Sequence, residues 1–125
     1  MAKAKKQVNA DELTALIVNG IQEKKGENIV TLDLRGLDGA VTDYYVVCEA
    51  TSTTQVGAIA DSIENEVRKA CGEKPWHVEG TENLEWVLLD YVNVVAHVFQ
   101  PDKRDFFNIE ELWADAKIKE IRAEY

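Results

Sequence analysis

A single mixed α/β domain, with helices packed on a β-sheet, is the fold class this sequence predicts, and three observations predict it. Residues 85–99 read as two strands joined by a tight turn, with apolar residues in both alternating sets. Helical stripes and β-branched runs follow one another in the order α-β-β-α-β-β-β-α, which gives a mixed sheet with helices against it. At 125 residues, 46% hydrophobic and 30% charged, the chain has the size and make-up of one globular domain with a real core.

Each element has its own signal. Asn9 can cap a first helix, with Glu12 reaching back three residues later, and Leu13, Leu16, Ile17 and Ile21 then share one face. Ile29 to Leu34 and Tyr44 to Cys48 are β-branched or aromatic runs expected as strands. Thr51 to Thr54 supply caps for a second helix, whose stripe is Val56, Ile59, Ala60, Ile63 and Val67 and whose stop is Cys71-Gly72. Trp76 to Glu79 is a short third strand. In the hairpin, Trp86/Leu88 and Val87/Leu89/Tyr91 are the two sets of the first strand, and Val94/Ala96/Val98 and Val95/His97/Phe99 those of the second. Strands apolar on both sides belong where both faces are covered, so the hairpin is expected at the sheet centre. Pro101 ends the last strand. Asn108 to Glu111 reads as a second capping box, with Phe107 and Leu112 as a hydrophobic staple and Ile109, Leu112, Trp113 and Ala116 as the apolar face. Residues 1–8 are expected as a flexible tail, 9–116 as the domain, and 117–125 as a charged C-terminal helical extension.

Charge narrows the partners. The formal charge is −9, and Lys3, Lys5 and Lys6 all sit in the basic tail, so the remaining body is more acidic still. Such a surface repels phosphates and argues against independent binding to nucleic acid or anionic lipid, while it suits a basic protein. No apolar run reaches the roughly 18 residues of a membrane span, and the N-terminus lacks a signal-peptide apolar region, so a cytoplasmic location is expected. Cys48 and Cys71 lack metal-type spacing and are most simply free thiols.

Catalysis finds little support. Asp33, Asp43 and Asp90 fall near strand ends, where paired carboxylates hold magnesium in nucleotidyl transfer. That chemistry also needs a phosphate cradle, and the sequence has no glycine-rich phosphate loop; the plainer reading makes these residues caps and backbone partners. His77 and His97 are too few for a metal site, and His97 is expected as a satisfied, partly buried histidine. Ser52 and Ser62 lack a nucleophile-elbow context. No catalytic residue, metal or cofactor is therefore expected. Trp86 opens a strand directly after Glu85 and a polar loop. Half covered and ringed by Glu79, Glu82, Glu85 and Asp90, it has the make-up of a protein-binding hot spot with an acidic rim, against the alternative of a tryptophan that closes the sheet end.

Several short motifs occur in a specific order: Thr42-Asp43-Tyr44; Thr51-Ser52 leading into Gln55-Val56 and Ile59-Ala60-Asp61; Glu79-Gly80; Trp86 to Tyr91; Val95 to Phe99; Arg104 to Phe107; and Glu110 to Trp113. Together, over about residues 9–115, they resemble the ribosomal silencing factor (Iojap) family. The resemblance implies a nucleotidyltransferase-like fold without that fold's catalytic residues. It also implies binding to the large ribosomal subunit at the ribosomal protein numbered fourteen, a steric block to subunit joining and repression of translation, often as a homodimer. It maps the family's tryptophan-containing strand onto Trp86, and the partner-binding residues expected from the acidic rim and the motifs together are Trp86, Glu85, Asp90, Tyr91, Glu79, Asp43 and Tyr44. The chain departs from the family pattern at Val92-Asn93, where a glycine usually opens the turn, and at Thr54, where a basic residue is usual. A nucleotide-dependent enzyme of the nucleotidyltransferase fold is the alternative.

Overall fold

The structure, a computed structural model, describes residues 8–123 and 125. Its elements are α1 (Ala10–Glu23), β1 (Glu27–Asp33), β2 (Tyr44–Glu49), α2 (Thr53–Cys71), β3 (His77–Glu79), β4 (Trp86–Asp90), β5 (Val94–Phe99), α3 (Pro101–Phe107), α4 (Ile109–Leu112) and β6 (Lys117–Glu120). The strands form one sheet in the order β3-β4-β5-β2-β1-β6. The β2–β5 pair is parallel and the other four pairs are antiparallel. A parallel pair needs a long crossover, and α2 is part of that connection.

Both long helices cover the same face. The capping box of α1 forms as the sequence indicates, Asn9 Oδ1 accepting from the Glu12 N–H at 2.8 Å. Ser52 caps α2, and Gly72, at φ 76°, ends it in the left-handed conformation. The two helices meet closely at Gly20, where a Cβ would lie 2.8 Å from Ile63 Cα. There the Ser62 hydroxyl donates to the Gly20 carbonyl at 2.7 Å. Their buried stripes, Leu13, Ile17 and Ile21 with Val56, Ile59, Ile63 and Val67, enclose the main core with Val46, Cys48, Val87, Leu89, Val94, Ala96 and Val98. The opposite face carries a second, smaller core of Val30, Leu32, Leu34, Val47, Phe99 and Ile109, covered in part by α3 and α4.

Four sequence expectations need correction. Residues 117–120 are a strand, not a helical extension: Lys-Ile-Lys-Glu alternates with period two and completes the free edge of β1, with Ile118 opposite Leu32. Of the two hairpin strands only β5, buried throughout, is central, its inner neighbour being β2; β4 is flanked by the short edge strand β3 and is buried at alternate residues only. Asn108 makes no side-chain cap, because at φ 45° it also terminates α3. Leu112 is 76% exposed, since α4 closes after a single turn and cannot present a full apolar face. The tail lies outside the described residues apart from Val8, which packs against the main core.

The β4–β5 turn stores strain. Val92 sits at φ 75°, a conformation a β-branched residue adopts poorly. Three bonds hold the turn there. Asp90 Oδ1 accepts from the Val92 N–H at 2.7 Å, Thr42 Oγ1 donates to the Val92 carbonyl at 2.9 Å, and the Asp43 N–H donates to the Asn93 carbonyl at 2.9 Å. Strain of roughly 1–3 kcal/mol outweighs the roughly 0.5–1 kcal/mol that glycine loses to chain entropy. Val92→Gly is therefore expected to stabilise the fold by about 1 kcal/mol, raising Tm by roughly 4 °C. A Tm equal to or below that of the unsubstituted chain would show that the turn carries no strain.

Candidate functional site

The second face of the sheet, at its β3-β4-β5 end, is apolar and lacks a long helix over it. Cross-strand register places Trp86 opposite Phe99, Leu88 opposite His97 and Asp90 opposite Val95 on this face, and Glu79 opposite Leu88. Tyr45 joins from β2, and Phe107 and Trp113 from the two short helical segments. Trp86 and Leu88 stay partly open to solvent although both are apolar. Phe107 is 41% exposed and meets the more exposed Phe106 edge-on.

The aromatic groups form one connected layer. The Trp86 ring stacks on Phe99 at 4.9 Å between centroids and meets Phe107 at 4.6 Å. Its indole N–H donates to His97 Nδ1 at 3.1 Å. Tyr45 lies edge-on to both His97, at 4.6 Å, and Trp113, at 6.4 Å. Because His97 Nδ1 accepts, the proton of the neutral ring belongs on Nε2, which is buried without a partner among the described residues. Trp86 is thus the floor of an apolar patch more than its tip. Gly80 fixes where that floor sits: at φ 88°, a Cβ on it would fall 1.9 Å from the Trp86 carbonyl oxygen.

The residues singled out from the sequence separate between the two faces. Trp86, Glu79 and Asp90 share the open face, with Glu85 at its end. Tyr91 is buried in the core beneath the helices, and Tyr44 lies on that same side, its hydroxyl hydrogen-bonded to Asp11. Asp43 stands in the loop before β2 at the Val92 end. Two of the acidic groups already have neighbours, Glu85 facing Lys103 Nζ at 3.6 Å and Glu79 bonded to His77 Nε2 at 2.9 Å. Sequence reading passed over Leu88 and Tyr45 as docking residues, because period-two apolarity does not say which face stays uncovered. The most exposed tryptophan is Trp76, at 79%, just before the edge strand β3, where Pro75 and polar neighbours were the available signal.

The same geometry bears on catalysis. Asp33 and Asp90 are on opposite faces and cannot share a cation. Asp33 is held below the usual carboxylate range by its hydrogen bonds to Arg35, at 3.0 and 2.9 Å, and Asp90 caps the hairpin turn. Among the described residues no three His, Cys, Asp or Glu side chains gather to hold a metal. A cleft of about 420 Å3 beside β1 and α3 is lined by Glu49, Asp105, Glu110 and Glu120 with Arg104, whose guanidinium is committed to Glu49 and Glu110. Such a lining repels a nucleotide's phosphates. The open face has aromatic area and a rim of carboxylates, which suits adhesion to a protein.

Burial pushes His97 down to about 3 from the ordinary 6.5. The folded chain keeps it neutral while the unfolded chain takes up a proton below 6.5, so its contribution is intact above that pH and declines as pH falls toward 3. The expected slope is about 1 kcal/mol per pH unit. Urea midpoints at pH 7 and pH 5 should fall for the native sequence and fall less for His97→Phe. Equal declines would mean that His97 is protonated in the fold.

Comparison with known proteins agrees with this architecture. Residues 7–124 match the family described as "Ribosomal silencing factor during starvation". The chain is 38% identical over 110 residues to the ribosomal silencing factor RsfS of Halalkalibacterium halodurans, covering 88% of this chain and 92% of that protein. It is 33% identical over 114 residues to that of Bacillus subtilis, covering 91% and 95%. Its structure superposes on a crystal structure of a Chromobacterium violaceum protein with a TM-score of 0.81 at 32% identity, covering 93% of this chain and 96% of that one. With this extent of match in both sequence and fold, the chain belongs to the ribosomal silencing factor family.

Proposed function

We propose that this protein docks on the large ribosomal subunit through the open aromatic face of its sheet and represses translation by standing in the way of subunit joining. The observation that carries the docking reading is β4, whose second face is apolar yet left half uncovered in the folded chain. Exposed apolar area of this kind, with Trp86, Leu88 and Phe107 inside an acidic rim, marks a protein contact. The acidity of the chain selects a basic partner and repels the RNA around it. Family membership supplies the ribosome as the setting. Within it, we take the partner to be the ribosomal protein numbered fourteen, as the resemblance implies. Blocking by bulk needs affinity and no chemical step, so we read the chain as a cytoplasmic, non-enzymatic member. We further read it as nucleotidyltransferase-like in fold but without the catalytic motif, and as capable of homodimerising.

Purified large subunits in a cosedimentation series test this. The chain should pellet with them, bind more weakly as salt rises and reduce formation of joined ribosomes. Leu88→Glu places a charge in the middle of the face while leaving the main core intact. It is expected to weaken binding by at least tenfold with little change in Tm. Trp86→Ala should cost about 2 kcal/mol or more of binding, together with a loss of stability from its contacts with Phe99 and His97. Unaltered affinity of Leu88→Glu would exclude this face, and full subunit joining with excess protein would exclude the blocking mechanism.

A further inference from the structure

The wall of the open face built by α3 and α4 has little of its own to hold it. Both segments are short, and their backbones approach the sheet at few points. Asn108, at φ 45°, is at once the end of α3 and the start of α4, so no continuous helix ties the two together. Ile109 is the one residue of α4 that the second core buries.

Arg104 supplies what is missing. It is 8% exposed, and its guanidinium reaches three other elements at once. Nε and Nη2 donate to the two carboxylate oxygens of Glu110 in α4, at 2.9 and 3.3 Å. Nη1 donates to Glu49 at the end of β2, at 3.0 Å, and to the Asn28 carbonyl at the β1 bulge, at 2.6 Å. The fork to Glu110 sets the angle between α3 and α4, and the bonds from Nη1 fix that pair on the sheet. One helical turn further along α3 is Phe107, which packs on Trp86. A planar, two-pronged donor defines orientation in a way a single ammonium cannot. The net stability from such a buried ion pair is small, because desolvation offsets the attraction.

We propose that Arg104 is a positioning residue for the docking face: buried away from any partner, it places Phe107 and the α4 wall so that the face is shaped before contact. This rests on the docking reading above. Loss of the guanidinium leaves α3 and α4 hinged at Asn108, and the ordering of that wall then has to occur during binding, which lowers affinity.

A set of variants tests it, each compared well below its own Tm. Arg104→Met is expected to bind large subunits about tenfold more weakly, and Arg104→Lys, which keeps charge without the fork, should fall between it and the native sequence. Because part of the action of Arg104 runs through Phe107, the losses of Arg104→Met and Phe107→Ala should combine in the double variant to less than their product, whereas a role in stability only would leave the two losses independent. A second readout needs no ribosome. In a chain with Trp76→Phe and Trp113→Phe, Trp86 is the sole indole, and Arg104→Met should red-shift its emission as Phe107 leaves it. Should Arg104→Met prove unfolded, Glu110→Gln, which weakens only the α4 fork, carries the same comparisons with smaller effects in the same direction. Native affinity in Arg104→Met, independent losses in the double variant, or unchanged Trp86 emission would each overturn the positioning role. Failure of the unsubstituted chain to bind large subunits would instead overturn the docking reading, while the emission shift would still report the wall.

Discussion

Both long helices of this protein lie on one face of a six-stranded sheet, and most of what the molecule presents to its surroundings depends on that asymmetry. The close approach of α1 and α2 at Gly20 lets their apolar stripes combine into a single cover over β1, β2, β5 and β4. Nothing comparable remains for the other side. The central strand β5 is apolar in both alternating sets and is buried throughout, because two short helical segments and neighbouring aromatic rings close over its second face. Its neighbour β4 has the same kind of sequence and is closed on one face only. The difference between these strands is a matter of what packs against them, not of composition.

The uncovered end of that second face is ordered by polar contacts in an otherwise apolar setting. The indole N–H of Trp86 finds its acceptor in His97, which is kept neutral by burial, and Gly80 lets the neighbouring loop press on the Trp86 backbone. Arg104 performs the corresponding service for the helical wall, and Asp90 and Thr42 hold the strained turn at the far end of the strand. A surface supported at each edge in this way needs little reorganisation on meeting a partner, and low reorganisation is one of the main routes to affinity from a modest contact area. The rim works differently. Glu85 and Glu79 already face Lys103 and His77, so the long-range negative field is a property of the whole chain more than of those two carboxylates.

Local chemistry was legible in the residues themselves. The capping box at Asn9, the stripe and stop of α2, and the strands at β1, β2, β4 and β5 follow from spacing, capping and β-branching, all short-range properties. Family membership was legible too, from the order of motifs between Thr42 and Trp113. Boundaries at the C-terminal end were not. Lys117 to Glu120 are charged enough to read as exposed helix, and only the unpaired edge of β1 makes them a strand. Leu112 satisfies the spacing of an apolar stripe, yet the left-handed backbone at Asn108 and the single turn of α4 leave it in solvent.

Of the candidate site, the sequence by itself determined the ingredients: a tryptophan at the start of a doubly apolar strand, carboxylates around it and no phosphate cradle. Which of them share a surface was decided by tertiary structure alone. Tyr91 and Tyr44 lie on the helix-covered side of the sheet, while Leu88, Tyr45 and Phe107 are brought beside Trp86 from positions that spacing treats as ordinary core. The physical reason is that alternation along a strand assigns residues to two faces but is symmetric between them. The symmetry is broken by where the helices settle, and that depends on contacts such as Gly20 on Ile63 and Arg104 on Glu49 and Glu110, between residues far apart in the chain or on separate elements.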